Sequence, residues 1–243
     1  MQLPTGQLDT LRTDATALLD ACAAAGIPAE DSETSLAVLE QAFDQLFEVL
    51  ARAESDLQSG GNAGTGDVTE LGEYALQLIG NLAARVEQTG DDSLRQTLAM
   101  LTVNLALWIA RHDGVIDTLE PVVDALALFA NTTSDTHALA ALHDIIGTIV
   151  EAVSPVISQD LEKVNPGRPW RVLLLNQSIV ATRSHNTELM EQAFARLTDN
   201  LPQDAARFFT EGMQQMDALD YPQHVREVMA RYHRQWNVDR SLH

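Results

Sequence analysis

The sequence predicts an all-α protein, an array of antiparallel helical hairpins with about ten helices in 243 residues. Three observations predict it. Apolar residues recur at three- and four-residue spacing along nearly the whole chain, the signature of one buried helix face. No run of alternating β-branched residues bounded by turn residues occurs, so strands are not expected. Glycine and proline fall mostly between the apolar stripes, where they end one helix and start the next.

Taken in order, Gly26-Ile27-Pro28 closes the first helix, and Asp31 or Ser32 is placed to cap the second by accepting its orphan backbone N–H groups. Leu36, Leu39, Phe43, Leu46, Phe47 and Leu50 then form one stripe. Residues 60–67, Gly-Gly-Asn-Ala-Gly-Thr-Gly-Asp, read as a flexible linker between an acidic N-terminal hairpin at 1–59 and a hairpin array at 68–243. They follow a helix and lack the lysine of a phosphate-binding loop. Leu71, Ala75, Leu78, Leu82 and Val86 carry the next helix. Leu94, Leu98, Leu101, Leu105, Trp108 and His112 carry the one after it, with Trp108 in the core. His112-Asp113-Gly114 reads as a helix C-terminus, histidine favouring the helix dipole and glycine supplying the left-handed turn. Pro121 falls in the first turn of its helix, where its missing N–H costs little. Pro155 interrupts a long apolar stretch and predicts a kink or split. Residues 165–169, Asn-Pro-Gly-Arg-Pro, make the firmest break of the second half. Leu201-Pro202 and Tyr221-Pro222 open two more helices, and Val225, Val228, Met229, Tyr232 and Trp236 line the last.

After the linker these breaks mark hairpins at 68–114, 117–165, 168–200 and 202–236, of 47, 49, 33 and 35 residues. The last two have the length of a tetratricopeptide unit, and Phe194 with Pro202 eight residues on matches that repeat's second-helix and closing-turn positions. Over about the last 70 residues the chain is therefore similar to tetratricopeptide-like (TPR-like) helical hairpins in length and punctuation. Trp170, Asn176 and Gln177 do not supply the first-helix signature in register. The longer units look like armadillo or HEAT pairs. This resemblance implies an α-α superhelix that offers a groove or an end helix to a protein; a closed helical bundle is the rival arrangement.

Composition narrows the function classes. Asp and Glu number 35 against 15 Lys and Arg, a net charge of −20. Such a chain is repelled by phosphate backbones, which excludes a general nucleic-acid binder. No apolar run is long enough to span a membrane. The single cysteine, Cys22, rules out an intrachain disulfide framework, and a cytoplasmic location is expected. The charge is uneven: residues 1–67 carry 12 acids and two bases, residues 202–243 six and five.

Catalytic signatures are sparse. The sequence holds no Gly-x-Ser-x-Gly, no His-Glu-x-x-His and no Walker loop, and no histidine follows a glutamate by three residues as a ferritin-like site needs. Ser184-His185 and Ser134-x-x-His137 read as caps. The doublets His112-Asp113 and His143-Asp144, with Asp160 further on, resemble the pattern of the all-helical HD-type metal-dependent phosphohydrolases. That resemblance implies divalent metals held by His112, His143, Asp144 and Asp160, activating a hydroxide.

For a partner, the last helix is the most informative surface. Arg226, His233 and Arg240 lie along one edge at seven-residue spacing, His224 and Arg231 along the other, beside Tyr232 and Trp236. The helix reads as an amphipathic closing element or as an aromatic, arginine-rich docking helix. Trp170-Arg171 reads as an exposed aromatic anchor after the Pro-Gly break. The amides of Asn104, Asn176 and Gln177 sit within apolar helices, where they fix helix register or bind an extended peptide backbone. The primary expectation is a non-catalytic interaction or scaffold protein, without cofactor, that binds a protein or peptide. The alternative is the metal-dependent HD-like phosphohydrolase or a metal-binding helical domain. A homo-oligomer is a further expectation, the acidic first hairpin of one chain meeting the cationic end helix of another.

Overall fold

The computed structural model describes residues 3–26, 35–58, 65–159 and 168–238. Among them are eleven helices and no strand: α1 (Leu8–Ala24), α2 (Leu36–Gln58), α3 (Thr65–Thr89), α4 (Asp92–Arg111), α5 (Glu120–Thr132), α6 (Thr136–Ala152), α7 (Pro155–Ser158), α8 (Pro169–Arg183), α9 (Thr187–Asn200), α10 (Pro202–Ala218) and α11 (Gln223–Val238). The all-α class is as the sequence predicts. The chain forms two compact units, an N-terminal one of residues 2–129 and 148–158 and a C-terminal one of residues 130–147 and 159–243. Asp31, Ser32, Asp160, Arg240 and most of the glycine-rich stretch lie outside the described residues; α3 begins at Thr65, within that stretch.

In the N-terminal unit α1 and α2 pack on one another and on α3, and α1 and α3 pack on α4. The stripe read from α2 buries Leu39, Phe43, Leu46, Phe47 and Leu50. Helix α4 is the centre of the unit: every residue from Leu101 to Ile109 is buried, as expected of a helix apolar nearly all round. Its start is capped by Asp91, which accepts the Ser93 hydroxyl at 2.7 Å and the Ser93 N–H at 2.8 Å, and these bonds hold the Asp91 carboxyl below its ordinary range. Cys22 is fully buried; burial pushes its thiol pKa up against the pull of Arg85.

The amide of Asn104 settles one of the sequence questions. Its Oδ1 accepts backbone N–H bonds from Thr5 at 2.7 Å and Gly6 at 2.9 Å, so the extended backbone it holds is the chain's own N-terminal segment. Arg111 donates to the Thr5 carbonyl. Gly6 is required there, with φ +65° and Leu107 Cβ only 2.9 Å from where its own Cβ would stand.

Two local expectations are refined. The left-handed residue ending α4 is Asp113, at φ +58°, not Gly114. A Cβ on Gly114 would lie 2.7 Å from Val68 Cγ1, so that glycine serves close packing of the turn. Pro155 splits the apolar stretch cleanly: α6 stops at Ala152 and α7 starts at the proline. Between them Val153 bridges Ile116, whose N–H donates to the Ala152 carbonyl at 2.8 Å.

In the C-terminal unit α8 packs on α9, α10 on α11, and α9 on both α10 and α11. Its core is aromatic and methionine-rich. Phe194 sits edge-on to Phe209 and Tyr232, each at 5.1 Å, and to Phe208 at 5.7 Å, the geometry that aligns positive ring edges with negative faces. Met190, Met216 and Met229 are buried in the same cluster, with Met213 against it. Arg183 ties the end of α8 to the carbonyls of Ala130 at 2.5 Å and Thr133 at 2.6 Å.

Candidate functional site

Within the C-terminal unit, α8 and α10 and the turn after α10 leave a groove of roughly 420 Å³. Ile179 and Thr182 come from α8, Phe208, Gly212 and Met216 from α10, Leu219 and Tyr221 from the turn, and Met229 from α11. Ile179 is 43% exposed and Leu219 54%. Among the described residues these are the two large hydrophobic side chains that this unit exposes, and both line the groove. Gly212 makes the floor possible: a Cβ there would stand 2.7 Å from the Sδ and Cε of Met229.

The polar rim is already engaged. The Arg183 guanidinium is spent on two carbonyls, and Glu211 accepts from Arg207 at 2.7 Å, a pair largely in water and hence weak. What remains is apolar area on a methionine-lined surface. Fully covering one exposed isoleucine or leucine gains about 1.5–3 kcal/mol, and methionine adapts its shape to what covers it.

The residues expected to bind a partner fall mostly elsewhere. Trp170 is not an exposed anchor: it is buried, 3% exposed. Pro169 starts α8, and the helix then sets Trp170 on one face with Leu173, Leu174 and Gln177, all buried. Arg171 forms a two-point ion pair with Asp204 across to α10, at 3.0 and 2.6 Å. On α11, Val225, Val228 and Met229 are buried, and Tyr232 and Trp236 pack half-buried against the same cluster. Two cations of that helix turn back onto the unit. Arg226 bonds the Met216 carbonyl and, at 2.8 Å, Asp217; Arg231 pairs with Glu191, which also accepts the Tyr232 hydroxyl at 2.9 Å. His233 is half-buried and Arg240 is outside the described residues.

The metal-site residues are held locally. His112 Nδ1 lies 2.7 Å from the Trp108 carbonyl and its Nε2 3.7 Å from Glu54. His143 is brought to Asp144, Nδ1 to Oδ1 at 3.4 Å, while its Nε2 is buried without a hydrogen-bond partner. Burial holds the His143 pKa below its ordinary 6.5, Asp144 opposing and Arg196 adding. Among the described residues no group of three His, Cys, Asp or Glu is placed to hold a metal ion. The helix starts are capped by neighbours of the expected serines: Asn186 accepts the Glu188 and Leu189 N–H groups at 3.0 and 3.3 Å and Asp135 that of Ala138 at 2.8 Å, while His185 is left-handed at φ +59° and Ser184 Oγ accepts the Asn186 N–H at 3.2 Å.

The groove itself escaped the sequence reading. Ile179 sits in an apolar helix and Leu219 before a turn proline, and neither pattern tells which face a neighbour leaves uncovered. The hint available was the pair of methionines at positions 213 and 216 with Gly212 beside them.

No family model, curated protein or solved structure matches this chain. No described helix is long and apolar enough to cross a membrane.

Proposed function

We propose that the chain is a non-catalytic interaction protein whose C-terminal helical hairpins, arranged in the manner of a tetratricopeptide-like array, receive an amphipathic partner segment in the α8–α10 groove. The observation that carries this reading is the convergence of Ile179 and Leu219, the unit's exposed large hydrophobic side chains among the described residues, on one methionine-floored groove. Apolar anchors at helical spacing fit such a groove. The unit that holds the groove carries 13 acidic and ten basic side chains, a small negative excess that favours basic over acidic flanks in the partner.

The test is fluorescence anisotropy with a labelled amphipathic Leu/Lys peptide beside its Leu/Glu counterpart, against wild type and the neutral double variant Ile179→Asn with Leu219→Asn. The Leu/Lys peptide binds saturably and the double variant weakens it about tenfold or more, equal to about 1.4 kcal/mol. Equal binding of both peptides, or unchanged binding by a folded double variant, overturns the reading. A concentration-dependent dimer lost in the double variant assigns the groove to a second copy instead.

A further inference from the structure

The α8–α10 groove does not end at Phe208. Past that ring the two helices leave a second hollow of roughly 280 Å³, walled by Leu175 and Phe208 and rimmed by Arg171, Asp204, Arg207 and Glu211. Phe208 and Glu211 line both hollows, so the two form one trough. The helices run parallel along it. Arg171, in the first turn of α8, is paired with Asp204, in the first turn of α10. At the other end Thr182, in the last turn of α8, shares the first hollow with Met216 and Leu219. From Arg171 to Thr182 the trough is roughly 16 Å long, about eleven residues at about 1.5 Å each.

The two ends differ in chemistry. The first is aliphatic, with Ile179 and Leu219 exposed and Met216 buried between the helices. At the second, Phe208 is held edge-on by Phe194 and Phe209, at 5.7 and 5.3 Å. Leu175, four residues before Ile179 and so on the same face of α8, stands half-buried beside it. The rim there is made of carboxylates that are engaged but not saturated. Each oxygen of Asp204 accepts one N–H from Arg171, and Glu211 accepts from Arg207 through Oε1; a carboxylate has about four acceptor sites. The Asp204 side chain is only 14% exposed, so a donor placed there bonds a charge shielded from much of the water. Apolar walls topped by spare acceptors fit a ring with an O–H or N–H at its tip.

We infer that the trough takes a three-turn helix of the partner with unlike anchors. An aliphatic side chain covers Ile179 and Leu219, and a tyrosine or tryptophan enters between Leu175 and Phe208, its polar hydrogen donated to the Asp204–Glu211 rim. This rests on the docking function proposed for the groove and adds which residues the partner presents to it. A helix fits the floor because its backbone hydrogen bonds are made before it arrives. An extended segment would press N–H and C=O groups against Ile179, Met216 and Leu219 with nothing to bond. Three turns at about 5.4 Å each match the length of the trough. A phenylalanine fills the same space without supplying the rim a donor, so discrimination lies in one hydrogen bond to a charged group.

The experiment is fluorescence anisotropy of the full chain with labelled Leu/Lys helical peptides of equal length. One carries leucine at every anchor, one tyrosine at the first anchor and one tyrosine at the last, and each tyrosine peptide has a phenylalanine counterpart. One tyrosine peptide, the one whose ring reaches Phe208, binds about fivefold or more tighter than its phenylalanine counterpart, the wet mouth of the hollow taking part of what a bond to a charged group gives. The other shows no such gain. In ¹H–¹⁵N spectra the tyrosine peptide that gains shifts the Leu175 and Arg207 amides more than its phenylalanine counterpart does. Equal binding of tyrosine and phenylalanine at both positions overturns the inference; the docking function then stands if the all-leucine peptide still loses affinity in the Ile179→Asn with Leu219→Asn variant. An equal gain at both positions, or a gain whose extra shifts fall away from Leu175 and Arg207, overturns the inference as well. Absence of binding by every peptide overturns both.

Discussion

The two units solve the same problem, burying a helical core, with different materials. The N-terminal unit carries 22 acidic and five basic side chains, a net of −17; the C-terminal unit carries 13 and ten, a net of −3. The first is packed chiefly with Leu, Ile, Val and Ala around a wholly buried stretch of α4. The second is packed with Phe194, Phe209, Tyr232 and four of the chain's six methionines. Branched aliphatic side chains sit in few rotamers and hold a fixed shape, whereas methionine re-packs at little cost. The difference teaches where rigidity and adaptability lie. The rigid unit fixes the Asn104 amide on the Thr5 and Gly6 N–H groups, and the adaptable unit presents a groove that moulds to what enters it.

The largest effect expected from breaking this contrast is at Asn104. Asn104→Ala removes the acceptor for the Thr5 and Gly6 N–H groups and leaves a small cavity, costing about 2–4 kcal/mol in denaturant unfolding. Amide hydrogen exchange at Thr5 and Gly6 accelerates with it. An unchanged stability and unchanged exchange would mean that the N-terminal segment is not held by this amide.

A matched pair of glycines sharpens the comparison. In α3 a Cβ on Gly72 would stand 2.6 Å from both Cδ1 and Cγ1 of Ile109; in α10 a Cβ on Gly212 meets the tip of Met229 at 2.7 Å. The clash is alike and the neighbour is not. Gly72→Ala destabilises by about 1–3 kcal/mol because a β-branched side chain in a full core cannot yield. Gly212→Ala comes out near zero, the methionine swinging aside and alanine's helix propensity contributing up to about 1 kcal/mol. Thermal unfolding of the two variants reads this directly, and equal losses would remove the distinction between the cores.

The smallest effect is a pH slope. The folded pKa of His143 is depressed chiefly by burial, so its contribution to stability is complete above the ordinary imidazole value of 6.5. As the pH falls below that value the unfolded chain takes up a proton that the native one resists, and stability declines by at most about 1.4 kcal/mol per pH unit. His143→Leu flattens the wild-type slope between roughly pH 7 and 5, a range set by the unfolded imidazole. Parallel curves for the two proteins would show that other groups set it.

Much of the fold was legible because helix periodicity is local. The α2 stripe from Leu39 to Leu50, the core position of Trp108 and the split at Pro155 all follow from spacing and proline geometry alone. Trp170 shows the failure mode. The Pro-Gly break before it suggested exposure, yet its spacing to Leu173, Leu174 and Gln177 was already that of a buried face. Asn104 was recognised as an amide needing a partner, but that the partner is a segment nearly a hundred positions away is a tertiary fact. Ile179 carried no local signal, since its significance lies in what neighbouring helices leave uncovered.

The buried Cys22 has a practical consequence. A chain with one thiol, fully enclosed and with its ionisation suppressed, is a natural reporter of opening. A thiol-specific reagent modifies it only when the N-terminal unit parts around α1. Where reclosing outpaces labelling, the labelling rate divided by that of an unfolded control gives the equilibrium constant for that opening. The protein thus carries its own gauge of how often its acidic half breathes.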